Sequence, residues 1–136
     1  MASLEKLSPQ EAREEIAKIS GKGKYPRRRS KYNAVRTIVG EHAFHSKREA
    51  EAWVYLKRRE AQGEIHSLKR QVPFKLTAFG VSGEPIYVCT YLADFQYFDV
   101  KRGATVTADS KGVRTALFNL KAKMVKACFG VDIEVI

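Results

Sequence analysis

The chain has 136 residues, the size of one domain, and 44% of them are hydrophobic, enough for a compact core. A total of 25 Lys and Arg against 15 Asp and Glu leaves a formal charge of +10, which favours a polyanionic partner, nucleic acid first and an anionic membrane surface second. No stretch approaches the roughly 18 apolar residues of a membrane span and no secretory hydrophobic region opens the chain, so a cytoplasmic protein is expected, with Cys89 and Cys128 as reduced core thiols rather than a disulfide.

In chain order, Ser8-Pro9-Gln10-Glu11 opens a helix, with Ser8 as N-cap, Pro9 in the first turn and Glu11 at the positive end of the dipole. This helix is predicted to run to Ser20 and stop at Gly21. Gly21 to Tyr32 follows as a basic arm with no acidic residue, carrying Lys22, Lys24, Arg27, Arg28, Arg29 and Lys31. Gly and Pro interrupt it, so it reads as a loop or linker suited to phosphate contacts. The organisation expected is therefore an arm region, 1–32, and a folded domain, 33–136.

Ala34 to Val39 is predicted as a short strand turning at Gly40-Glu41. Ser46 with Glu49 three residues later is a capping box, and a helix is expected from there to Gln62, ended by Gly63. Ile65 to Lys69 and Phe74 to Ala78 are two short strands around Gln71-Val72-Pro73. Pro85 to Phe98 is a long strand and Ala104 to Ser110 another. Turn residues at Val81 to Glu84 and Val100 to Gly103 make antiparallel hairpins of them. Val113, Leu117, Leu120, Met124 and Ala127 form one apolar stripe of a helix over 113–128, and a last strand runs from Val131 to Ile136 after Gly130.

The chemistry is concentrated in two strands. Asp109 and Lys111 are two apart and face the same way, and Asp94 stands in a neighbouring strand. Two carboxylates and an ammonium gathered on a sheet read as a divalent-metal site. Asp94, Asp109 and the Ser110 carbonyl would hold Mg²⁺, Glu49 would approach from its helix, and Lys111 would position water or stabilise charge on a phosphate. The bland alternatives are solvated strand-end carboxylates, a chance D-x-K and a capping role for Glu49. His42, His45 and Glu49 raise zinc as a weaker reading, since His66 lies elsewhere and no fourth ligand is near. Arg114, Lys121, Lys123 and Lys126 on the last helix, and Lys57, Arg58 and Arg59 on the middle one, would extend a phosphate track begun by the arm.

These residues resemble the PD-(D/E)XK nuclease superfamily. They are closer still to a family of small phage proteins catalogued as a domain of unknown function and assigned to that superfamily. The resemblance is carried by Lys31-Tyr32-Asn33, Ser46 to Ala50, Gln71, Tyr91 to Phe95 and Asp109 to Gly112, over residues 31 to 136. It implies an α/β (α+β) fold with a restriction-endonuclease-like αβββαβ core. It further implies metal-dependent DNA cleavage with Mg²⁺, or Mn²⁺ in its place, and roles for Glu49, Asp94, Asp109 and Lys111 as the motif residues. Ala93 stands where the motif has proline. The helix start is also similar to phage endonuclease I type Holliday-junction resolvases, which implies branched DNA, a homodimer and work in phage recombination, replication or packaging. A DNA-binding protein that keeps the fold without catalysis is the alternative. An RNA-binding or membrane-surface protein would explain the charge but not the site residues.

Overall fold

The computed structural model describes residues 35–136. The chain divides into two compact units, Met1–Gln62 and Gly63–Ile136. The expected first helix, the basic arm with Lys22, Lys24, Arg27, Arg28, Arg29 and Lys31, and the boundary at residue 32 lie outside the described residues.

In the first unit, β1 (Thr37–Val39) pairs antiparallel with β2 (His42–Phe44) through a turn at Gly40, whose φ of 58° suits a residue without a Cβ. The strand expected over 34–39 is thus shorter, and its partner had no expectation. A three-residue strand such as His-Ala-Phe is too short to display alternation. Helix α1 (Lys47–Ala61) begins at Ser46, whose hydroxyl accepts from the Glu49 N–H at 3.1 Å. The Glu49 carboxylate reaches one residue further back than a capping box requires and accepts from the His45 N–H at 3.0 Å. Trp53 on α1 packs against His42 and Phe44 of β2, ring centroids 5.2 and 6.1 Å away.

The second unit is a four-stranded sheet in the order β3 (Ile65–Phe79), β4 (Pro85–Asp99), β5 (Ala104–Asp109), β6 (Ile133–Val135), with helix α2 (Ala116–Phe129) between β5 and β6. The first three strands are an antiparallel meander and β6 runs parallel to β5, which requires a crossover that α2 supplies. The fold is therefore mixed α+β, with helix, three strands, helix and strand in sequence from residue 47 onward.

β3 is one strand where two short ones are expected. Pro73 pairs opposite Leu92 without ending it, because β3 lies at the sheet edge, where a missing N–H breaks no second ladder. The irregularity appears instead as left-handed backbone at Ser67 and Gln71, φ 58° and 51°. The turn between β4 and β5 is tied down by Asp99, whose carboxylate accepts from the Arg102 N–H at 3.0 Å. Arg102 then holds Glu134 of β6 with both guanidinium nitrogens, at 2.6 and 3.1 Å.

One face of this sheet is sealed by α2. Phe74, Leu76, Tyr91, Ala93, Phe118 and Val125 are buried together, with Met124, Ile133 and Val135 packed around them. The helix starts at Thr115, whose hydroxyl accepts from the Phe118 N–H at 3.1 Å, and ends at Gly130 in the left-handed conformation. The stripe predicted for this helix is displaced. Phe118 and Val125, seven apart, face the sheet, whereas Val113, Leu117 and Leu120 are exposed. Both Val113-based and Phe118-based stripes have helical spacing, and the larger phenylalanine takes the interior. Cys128 is likewise exposed rather than part of the core; both cysteines are free thiols.

Candidate functional site

The ladder between β4 and β5 ends at the pair Phe95↔Ala108. One residue further along each strand stand Asp94 and Asp109, facing each other where β5 leaves the sheet's long hairpin. On the far side of Asp94, the pairs Arg70↔Phe95 and Val72↔Ala93 put Gln71 of β3 at the same level. Gln71, Asp94 and Asp109 thus occupy one row across three strands. Gln71 holds a left-handed backbone there, an energetically costly conformation for a residue with a side chain.

Asp109 is almost wholly buried, with 1% of its surface exposed. Its backbone is fixed by β6, since its carbonyl accepts from the Ile136 N–H at 3.0 Å. Its carboxylate has two different oxygens. Oδ2 accepts from the Tyr91 hydroxyl. Oδ1 receives no hydrogen bond and has instead the Lys111 ammonium at 3.3 Å. Burial pushes the Asp109 carboxyl up to about 6, opposed by the Tyr91 hydrogen bond, reinforced by the charge and direct contact of Asp94, and eased by Lys111. Burial and Asp109 together raise the Tyr91 phenol, so it stays protonated and donates.

Asp94 is half-buried and its Oδ2 accepts two bonds from Ser110, one from the backbone N–H and one from the hydroxyl, both at 2.9 Å. Ser110 thereby clamps the second strand to the first. Lys111 follows, 40% exposed, with its ammonium 5.7 Å from the centre of the Phe118 ring. Asp94, Asp109, Ser110 and Lys111 are therefore brought together. Ser110 enters as a donor to Asp94, not through the carbonyl that the sequence suggested as a ligand. Glu49 belongs to the first unit, where it is buried and accepts from the His45 N–H.

Tyr91 is the residue that sequence reasoning missed. It lies three positions before Asp94, an odd spacing that strand alternation gives no reason to group with it. Its place at the head of the Tyr91 to Phe95 segment that carries the family resemblance was the available signal, though no role was assigned to it. Among the predicted phosphate contacts, Arg114 is exposed and Lys121 half-buried beside Lys111. Lys126 is paired with Asp132 at 2.5 Å and Lys57 with Glu60 at 2.7 Å, so both positive charges are partly neutralised locally.

Zinc finds no support among the described residues, where no three His, Cys, Asp or Glu side chains cluster. A hard divalent cation makes smaller demands, since Mg²⁺ keeps most of its water and needs one or two carboxylates. The Asp94–Asp109 pair meets that demand, and the buried Oδ1 without a hydrogen bond is an oxygen a cation would satisfy.

The second unit is thus a mixed α+β fold holding a carboxylate pair, Asp109 buried and Asp94 half-buried, with an adjoining lysine. The chain belongs to a family described as proteins of unknown function, DUF1064, whose model matches residues 29–134. No curated protein and no solved structure matches it. Among the described residues no helix is long and apolar enough to cross a membrane.

Proposed function

We propose that the chain is a divalent-metal-dependent endodeoxyribonuclease of the PD-(D/E)XK kind. The carrying observation is the buried Asp109, set against Asp94, with one oxygen lacking a hydrogen bond and Lys111 at its mouth. Two acids this close repel unless a proton or a cation lies between them, and a protein gains nothing in stability from that arrangement. Asp94 and Asp109 would hold Mg²⁺, or Mn²⁺ in its place. A bound divalent cation supplies charge neutralisation at a phosphate and acidification of water.

The remaining roles fall to the chain's own groups. Tyr91 fixes the orientation of Asp109 by donating to Oδ2, and Ser110 does the same for Asp94. Lys111, part exposed and tied to Oδ1 by charge alone, is free to turn its ammonium to a phosphoryl oxygen as negative charge builds there. The formal charge of +10 suits DNA as the polyanion. Branched DNA, a homodimer and a place in phage recombination, replication or packaging accompany this reading.

One observation favours a second reading, a DNA-binding protein that keeps the fold without catalysis: no third acidic or imidazole ligand joins the pair among the described residues. A single-turnover assay on linear, nicked and four-way DNA, with and without Mg²⁺, separates the two. Cleavage that requires Mg²⁺ and disappears in Asp109→Ala, with DNA binding in Ca²⁺ kept or slightly tightened, supports the enzyme. Lys111→Ala should slow cleavage on the order of a hundredfold while leaving some activity. Full activity in Asp109→Ala, or binding without cleavage of any substrate, defeats the enzyme reading.

A further inference from the structure

Beside the carboxylate pair, a cleft of about 370 Å³ opens between β4 and the start of α2, a volume within the range of small-ligand sites. Leu92, Val113, Leu117 and Phe118 wall it, and Lys111 and Lys121 supply its charge; no acidic side chain lines it. The walls are apolar yet wet: Leu92, Val113 and Leu117 are 51%, 76% and 59% exposed. Val113 and Leu117 belong to the stripe that the helix would have buried had Phe118 not taken the interior.

The cleft is continuous with the candidate site through two shared residues. Lys111 lines the cleft and stands 3.3 Å from Asp109, and the Tyr91 ring lines it while its hydroxyl donates to Asp109. An occupant must therefore combine an anion for the lysines with an apolar body for Leu92, Val113 and Leu117. A phosphate alone would leave the apolar walls in water, and an apolar ligand would leave the Lys121 ammonium, and the outward side of Lys111, in an apolar contact. A nucleotide satisfies both. Paired and stacked in a duplex, a base cannot enter such a cleft, because duplex DNA offers its sugar-phosphate edge first.

We propose that the cleft takes one unpaired nucleotide of the DNA, its base against the exposed Leu92, Val113 and Leu117 and its phosphate between Lys111 and Lys121. This deepens the nuclease reading and rests on it for the position of the scissile phosphate next door. The substrate class is then DNA with a single-stranded segment at the cut, such as a tail, a flap or an open branch, rather than continuous duplex. Contact of the base with these aliphatic walls adds affinity without sequence preference, since every base has an apolar face.

The test is fluorescence anisotropy of the full chain in EDTA with three labelled probes. They are a blunt duplex, the same duplex with a short single-stranded tail, and that duplex with an abasic tail. The expected result is a preference for the intact tail over the blunt duplex on the order of tenfold, lost when the tail is abasic. Leu117→Gln should lose the same preference with blunt-duplex affinity unchanged. Val113→Ser, which precedes the helix, makes the same test if Leu117→Gln fails to fold. Equal affinity for blunt and tailed DNA, or for abasic and intact tails, overturns the proposal. Because EDTA removes cleavage, the two readings fail separately. A tail preference in a protein that cuts nothing in Mg²⁺ keeps the cleft and ends the nuclease. Mg²⁺-dependent cutting with no tail preference does the reverse.

Discussion

Asp109 carries an electrostatic cost at the level of a single residue. Its carboxyl is pushed up to about 6, above the usual carboxylate range near 3.9, so ionisation is harder in the folded chain than in the unfolded one. The stability gained by keeping it protonated is fully present below the unfolded value. It is lost as pH rises through about 6, so the metal-free protein carries a buried, strained charge at neutral pH. Asp109→Asn should therefore raise the melting temperature in EDTA at pH 7 to 8, and the gain should shrink toward zero near pH 4. Mg²⁺ should raise the melting temperature of the wild-type chain, by linkage to the folded state, and leave that of Asp109→Asn unmoved. Thermal scans at three pH values, with and without the ion, check both. A wild-type protein indifferent to Mg²⁺ would remove the pair as a cation site. Of these residues, Asp94 and Asp109 were legible because their segments read as strands, while Lys111 lies two residues past Asp109, beyond the end of β5, and meets it by adjacency in the chain. The Tyr91 hydrogen bond and the row shared with Gln71 were not, since both depend on register between strands, which no single segment encodes.

At the level of elements, α1 was legible at its Ser46 start, whereas α2 begins at Ala116 behind Thr115, three residues after the expected Val113, and its face was misread. Ser46 and Thr115 each accept from the N–H three residues on, at 3.1 Å, as side-chain chemistry at a helix start dictates. Ser46→Ala or Thr115→Ala should each cost about 1 kcal/mol, read as a shift in the urea midpoint with unchanged slope. The Thr115 change should matter more for function, because α2 carries both the Phe118 wall and Lys121. The face of α2 was misread because two apolar sets share helical spacing, and only the sheet it packs on decides between them. β3 was misread for a different reason. Proline and a glutamine with positive φ argue against a strand locally, but an edge strand tolerates both when its neighbour supplies twelve paired positions. The hairpin it forms with β4 extends past the reach of β5 and leaves Phe79 and Val81 at 76% and 109% exposure.

At the scale of the whole molecule, the mixed α+β class followed from the order of elements, and the charge excess from simple counting. How that charge is spent does not follow from counting. Lys57, Arg102, Lys111 and Lys126 each have an acidic neighbour within 3.3 Å, so a good part of the positive charge in residues 35–136 is answered within the chain. By sequence, Gly21 to Tyr32 holds six basic residues and no acid. Each phosphate contact releases condensed counterions, so affinity falls with salt in proportion to the contacts made, with a logarithmic slope of about 0.9 per contact on duplex DNA. Replacing Arg27, Arg28 and Arg29 by Gln together should weaken binding and flatten that slope by up to about 2.7. The measurement is a salt titration of binding in Ca²⁺, with circular dichroism to confirm that the variant retains its fold. The preference for tailed over blunt probes should survive in this variant, because backbone charge contributes to both probes alike while the cleft reads the unpaired base. An unchanged affinity and slope would make the arm a linker and leave phosphate binding to Arg114 and Lys121.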